Sequence, residues 1–230
     1  MFYFNNLKGL GKQSSGGMLD MIVVDGVVGA GKSTLQKILV DEFGFVPFEE
    51  TVVNNPILDK FYYDRKRYAF PLQIFFLNER FKYIQEASKI ENAILDRSIY
   101  GDLIFAKLLK DNGDMTKVEF DIYLSMFHNL IEHCKPPKLM VYLEVSPEEA
   151  ARRIAKRGRQ YELQTDMDYW VKLNKEYRDY FDQYNLSPIL KINVDNIDFE
   201  TNLKDRDYVL TLIKNKLQEV DKVSILRDVL

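Results

Sequence analysis

A chain of 230 residues, 46% hydrophobic and 29% charged, is long enough for one substantial core and has a globular composition. Its formal net charge of -3 argues against a nucleic-acid groove as its main business. The single cysteine, Cys134, excludes a disulfide framework and fits a reducing, cytoplasmic setting, and no apolar run approaches a membrane span.

Residues 1–17 read as a flexible extension, rich in glycine, serine and lysine from Lys8 to Gly17, so the folded domain is expected over 18–230. Met21-Ile22-Val23-Val24-Asp25 then reads as a buried strand, and Leu35 to Val40 as part of an amphipathic helix. Between them, Gly26, Gly31, Lys32 and Ser33 match the G-x-x-x-x-G-K-[ST] phosphate loop. Its glycines let backbone N–H groups turn onto an anion at a helix N-terminus that already carries partial positive charge. Gly26, Val27, Val28, Gly29, Ala30, Gly31, Lys32, Ser33 and Thr34 are therefore expected to cradle a nucleotide triphosphate. Lys32 would reach the outer phosphates, and the Ser33 hydroxyl would hold Mg²⁺.

Gly44 to Glu50 predicts a short second strand ending in carboxylates, followed by a turn at Asn54-Asn55-Pro56. Helices are expected at Ile57 to Tyr63 and Tyr68 to Ile90, the second carrying a stripe of Phe70, Phe75, Phe76, Phe81 and Tyr83 that suits core packing. Glu91 to Arg97 predicts a third strand ending in Asp96-Arg97, with helices next at Gly101 to Lys110 and Lys117 to Cys134. Lys138 to Leu143 is a fourth strand. Ser146-Pro147 starts a helix that Gly158 can close, the serine as N-cap and the proline in the first turn. Asp166 to Tyr184 is helical, Pro188 to Val194 a fifth strand, and Leu203 to Val220 a final helix.

Short apolar strands alternating with helices predict an α/β fold: a five-stranded parallel sheet covered by helices on both faces. In such sheets ligands bind beyond the carboxyl ends of the strands, and here those ends carry the phosphate loop, Glu49-Glu50 and Asp96-Arg97. Phosphoryl transfer needs a base near the acceptor hydroxyl and cations around the transferring group. Glu50 is the candidate base and Arg97 the candidate cation, while Asp96 would hold Mg²⁺ through water together with Ser33. Arg153 and Arg157, four apart on a helix, read as an arginine-rich lid over about 152–165 that clamps ATP phosphates. A solvated basic face is the plainer reading of that cluster.

These residues resemble the deoxyribonucleoside kinase family, particularly its bacterial deoxyadenosine and deoxyguanosine kinase branch. The resemblance rests on Gly26 to Thr34, Glu50 with Asn54-Asn55-Pro56, Phe61-Tyr62-Tyr63-Asp64 with Gln73, Asp96 to Asp102, and Lys156-Arg157-Gly158-Arg159 with Glu162. It implies a P-loop kinase fold and ATP-dependent phosphorylation of a deoxynucleoside at its 5′-hydroxyl, with deoxyadenosine favoured and deoxyguanosine next. It also implies a homodimer. Carried over by position, Glu50 resembles the family's base, and Arg97 would contact the same hydroxyl. Tyr62 and Glu162 would bind the sugar 3′-hydroxyl, Gln73 would read the base edge, and Arg80 with Asp102 would face the base. Arg159 joins Arg153 and Arg157 on the ATP phosphates. Without the resemblance, Tyr62 and Gln73 read as packing residues, Asp102 as a helix cap and Glu162 as a surface acid. The alternatives are a thymidylate-type monophosphate kinase, whose usual Glu-Pro-Gly-Gly segment is absent, or a non-catalytic ATP-binding module, which would have no need of a base.

Overall fold

The computed structural model describes residues 21–48, 55–163 and 165–228. The predicted N-terminal extension and Glu49, Glu50 and Asn54 lie outside the described residues.

The first strand, β1 (Ile22–Gly26), is buried along its whole length. Successive side chains of a strand point to opposite faces, so burial of all of them means that both faces of the sheet are covered. Four more strands complete the sheet: β2 (Val46–Phe48), β3 (Ala93–Asp96), β4 (Leu139–Glu144) and β5 (Ile189–Asn193). Their order is β2-β3-β1-β4-β5, and every pairing is parallel. The predicted five-stranded parallel sheet is therefore the observed one. Its register sets the carboxylates of β1 and β3 beside their neighbours. Val24 lies level with Asp96 on one side, and Asp25 level with Tyr142 on the other.

Helix α1 (Lys32–Phe43) leaves the phosphate loop and packs on β1, β2 and β3. Buried Gln36 on this helix donates to the carbonyls of Phe48 at 2.9 Å and Ile94 at 3.0 Å. The end of β2 and the body of β3 are thereby pinned to α1. Helices α2 (Leu58–Tyr63) and α3 (Arg65–Ala87) follow. The second starts earlier than its apolar pattern predicts, because the Asp64 carboxylate accepts the Arg67 N–H at 3.2 Å and caps it. A 3₁₀ turn at Ile99–Gly101 leads into α4 (Asp102–Asp111). Helix α5 (Lys117–Ile131) opens on a capping box between Thr116 and Glu119.

Helix α6 (Pro147–Arg157) begins and ends as its sequence predicts: the Ser146 hydroxyl accepts the Glu149 N–H, and Gly158 closes the helix in the left-handed region. The short α7 (Gln160–Leu163) is unpredicted. Helix α8 (Met167–Asp182) supplies large core rings, with Phe181 stacked on Tyr142 of the sheet at 4.3 Å between centroids. The last helix, α9 (Leu203–Asp228), runs beyond its expected end at Val220 and packs on β4 and β5. No helix among the described residues is long and apolar enough to cross a membrane.

Candidate active site

A cavity of about 1240 Å³ opens beyond the carboxyl ends of the strands. Its floor is the phosphate loop: Val28, Gly29, Gly31, Lys32, Ser33 and Thr34 line it. Gly26, Val27 and Ala30 belong to the same loop but do not line the cavity. The Val27 carbonyl accepts the Lys32 ammonium at 3.1 Å, and the Ala30 carbonyl accepts the Arg153 guanidinium at 3.2 Å. Gly31 has φ 97°, and a Cβ there would lie 2.7 Å from the Phe199 ring. Both facts demand glycine. Gly31→Ala should lower thermal stability by about 1–3 kcal/mol and weaken ATP binding severalfold. Thermal unfolding and initial rates against ATP concentration check this, and a variant unchanged in both would contradict it.

The Ser33 hydroxyl donates to the Asp96 carboxylate, joining the start of α1 to the end of β3. Hydroxyl and carboxylate are hard oxygen donors, the set that suits Mg²⁺ held also by water and nucleotide phosphates. Arg97 follows in the left-handed region, at φ 65°. Its N–H donates to the Val24 carbonyl at 2.9 Å. Its buried guanidinium lies over the rings of Phe105 at 4.8 Å and Tyr177 at 6.0 Å. Aromatic faces hold a guanidinium by its flat side, so its N–H edge can still turn to an oxygen.

The far wall comes from α2, α3 and α8. Tyr62, Gln73, Phe76, Arg80 and Tyr169 line the cavity. The Arg80 guanidinium pairs with the Asp102 carboxylate and sits 4.8 Å over Phe76. Asp102 does not reach the cavity. It stands behind Arg80, and its Oδ2 is buried with no hydrogen-bond partner among the described residues. Neither helix cap nor direct wall, it is the counter-ion that aims Arg80. Phe76 likewise departs from the reading of its stripe as core packing, because one edge of that stripe faces the cavity. Tyr169 was not foreseen. Burial raises its phenol to about 12, and Arg65 lies 5.2 Å over its ring.

On the opposite side stand Arg152, Lys156, Arg157, Arg159 and Glu162. Glu162 is buried, and Arg157 grips it with contacts of 2.6 and 2.7 Å, with Arg159 3.6 Å away. Glu162 is thus no surface acid. Arg153, expected as a phosphate clamp, lines the cavity too. Its guanidinium donates to Glu149 at 2.7 Å, to the Ala30 carbonyl and to the carbonyls of Val194 and Ile197. As placed, it is a strut between the phosphate loop and the segment after β5. The Ser146 N–H reinforces that union by donating to Asp195 at 2.6 Å. Glu149, also missed in the sequence, is held down at about 2 by its bonds to Arg152 and then Arg153. An i,i+3 and i,i+4 charge pattern on α6 was the available signal for it.

Comparison with known proteins agrees with this geometry. The family model described as deoxynucleoside kinase matches residues 22–218. A deoxyguanosine kinase of Lactobacillus acidophilus is 41% identical over 214 residues, covering 89% of this chain and 94% of the relative. A deoxyadenosine kinase of the same organism is 40% identical over 212 residues, covering 88% and 99%. The structure of deoxyadenosine kinase from M. mycoides with bound dATP superimposes with a TM-score of 0.75 at 33% identity, covering 86% of this chain and 99% of that one. The chain belongs to the deoxynucleoside kinase family.

Proposed function

We propose that this kinase transfers the γ-phosphate of ATP to the 5′-hydroxyl of deoxyadenosine, with deoxyguanosine as its next acceptor. The observation that carries this reading is the cavity itself. One end is a phosphate loop with the Ser33–Asp96 pair, the other a chamber walled by Gln73, Phe76 and Arg80, and Arg97 stands among them. Relatives 41% and 40% identical are named for the two purine deoxynucleosides.

In this reading Glu50 accepts the 5′-hydroxyl proton as the new oxygen–phosphorus bond forms and the bond to the β-phosphate oxygen breaks. Arg97 donates to the attacking oxygen and to charge developing on the transferring group. Lys32 holds the outer phosphates. Arg157 and Arg159 close on them from α6 and the residues beyond it, excluding water. Ser33 and Asp96 would hold Mg²⁺, which supplies neutralisation of phosphate charge when bound. Tyr62 and Glu162 bind the 3′-hydroxyl. Gln73, with both a donor and an acceptor on one amide, reads the base edge beside Arg80.

A homodimer fits the chain as well, because α5 leaves Val118, Ile122 and Met126, four apart on one face, exposed. A cytoplasmic setting is supported by Cys134, the sole cysteine, whose thiol burial pushes up to about 12. The deciding experiment supplies Mg·ATP with each deoxynucleoside in turn, and separately with thymidine monophosphate, and follows ADP release. Deoxyadenosine should give the highest kcat/KM and deoxyguanosine the next. Turnover of the monophosphate alone would overturn the acceptor class, and a pyrimidine deoxynucleoside in first place would overturn the base assignment.

A further inference from the structure

A carboxylate stands in β1, a strand buried along its whole length. Asp25 ends the run Ile22-Val23-Val24 in the centre of the sheet and is completely buried. Removing an ionised carboxylate from water costs several kcal/mol, so a carboxylate tolerated there needs a compensating arrangement. One oxygen, Oδ1, accepts the N–H of Gly26, the first glycine of the phosphate loop, at 2.7 Å. The other, Oδ2, has no hydrogen-bond partner among the described residues. It presses on Gly101 in the turn before α4, where a Cβ would lie only 2.7 Å away. That glycine is required by the carboxylate rather than by its own backbone angles, since its φ of -86° is ordinary.

The charges facing Asp25 come from three elements, and two phenols stand near. Arg97 at the end of β3 acts on it most strongly, followed by Lys32 of α1 and then Arg80 of α3. Tyr142 on β4 and Tyr184 after α8 both feel its negative charge. The Arg97 turn is therefore held at two points: the Arg97 N–H bonds to the carbonyl of Val24, and the residue after Val24, Asp25, sets its Oδ2 against Gly101, four residues beyond Arg97. That matters because a non-glycine residue at φ 65° sits in a sparsely populated conformation that its surroundings must maintain.

We infer that Asp25 is a positioning residue for phosphoryl transfer, a buried counter-charge that locks the first turn of the phosphate loop to the Arg97 turn. It touches no substrate. It acts through Arg97 and so rests on the proposed role of that arginine at the acceptor oxygen. Because the charge it steadies is needed most as the phosphoryl group moves, losing Asp25 lowers kcat and leaves the binding of ATP little altered.

The test is Asp25→Asn, which keeps the shape and an oxygen for the Gly26 N–H but removes the charge. With Mg·ATP and deoxyadenosine, kcat should fall about tenfold while KM for ATP stays within about twofold. Stability should move the other way. Burial raises the Asp25 carboxyl from 3.8 to about 6, so the unfolded chain binds fewer protons between those values and the native state loses stability as pH rises through that window. At neutral pH the uncharged variant should therefore melt at the same temperature as the wild type or higher. A side chain kept only for packing would lose stability together with activity. The ratio of wild-type to variant kcat should also shrink toward one as pH falls through about 6, where the wild type takes up the proton itself.

Gly101→Ala displaces the carboxylate without discharging it and serves as the second variant, with the same loss of kcat at unchanged KM expected. Wild-type kcat in both variants, or a rise in KM for ATP equal to any fall in kcat, would overturn the inference. Arg97→Ala distinguishes the two levels of the reading. Full turnover in that variant would remove Arg97 from the mechanism. An inactive Arg97→Ala beside a fully active Asp25→Asn would leave Arg97 in place and sink the role of Asp25 alone.

Discussion

Arg97→Ala should lower kcat by about a hundred- to a thousandfold, the loss typical of removing one preorganised donor to a charged transition state. KM for ATP should change by no more than a few-fold, since the phosphate loop and Lys32 are left intact. The expectation comes from how the side chain is held. Its guanidinium is buried, rests on Phe105 and Tyr177, and extends from a backbone turn fixed by the Val24 carbonyl. Arg97→Lys should recover little. An ammonium cannot spread over two rings while presenting a planar fork of donors. Steady-state ADP release with circular dichroism on the same samples decides the matter, and a folded Arg97→Ala enzyme within threefold of wild-type kcat would remove Arg97 from the chemistry.

Glu50→Gln is expected to be nearly as damaging, with kcat reduced about 10²- to 10⁴-fold and deoxynucleoside binding preserved. A glutamine keeps the size and an acceptor oxygen but cannot take the 5′-hydroxyl proton at neutral pH. The neighbouring Glu49→Gln provides the control, because both carboxylates stand together in the sequence after Phe48. Both carboxylates come after β2, whose last residue, Phe48, has its carbonyl pinned by Gln36 beside that of Ile94. The end of β2 is therefore anchored. Calorimetric binding of deoxyadenosine alongside turnover separates the outcomes. If Glu49→Gln is the inactive variant and Glu50→Gln the active one, the base is the other carboxylate.

How much the sequence reveals depends on whether the signal is local. The strand, loop and helix from Ile22 to Phe43 are legible because an apolar run, fixed glycine spacing and a Lys-Ser pair each report on their own neighbourhood. The Ser146-Pro147 start of α6 and its stop at Gly158 are equally local. The start of α3 is hidden because Asp64 caps it within a polar stretch that has no apolar period. Four-residue α7 is too short to show one. Among the site residues, Lys32, Ser33, Tyr62, Gln73, Arg80, Asp96, Arg97, Arg157, Arg159 and Glu162 all face one cavity. Their types and order carry that much. The distant partners of Arg153 do not show, because they are backbone carbonyls that any sequence could offer. Phe199 over Gly31 is concealed for a similar reason: contact across the fold leaves no mark on either stretch. Asp25 attracts no notice because it closes an apolar run whose pattern says only that the strand is buried.

The arginines of α6 and the residues beyond it are fastened in two different ways. Arg153 and Ser146 bolt α6 to backbone and carboxylate groups of the phosphate loop and of the segment after β5. Arg157 is fastened to another side chain, Glu162, across the left-handed break at Gly158. A phosphate arriving at that guanidinium, or a sugar hydroxyl arriving at that carboxylate, competes for the same clasp. With the roles proposed for Arg157 and Glu162, whichever substrate enters first would loosen the partner that the second one needs. On that proposal, filling the site means exchanging the pairs that Arg157 and Arg159 make with Glu162 around Gly158.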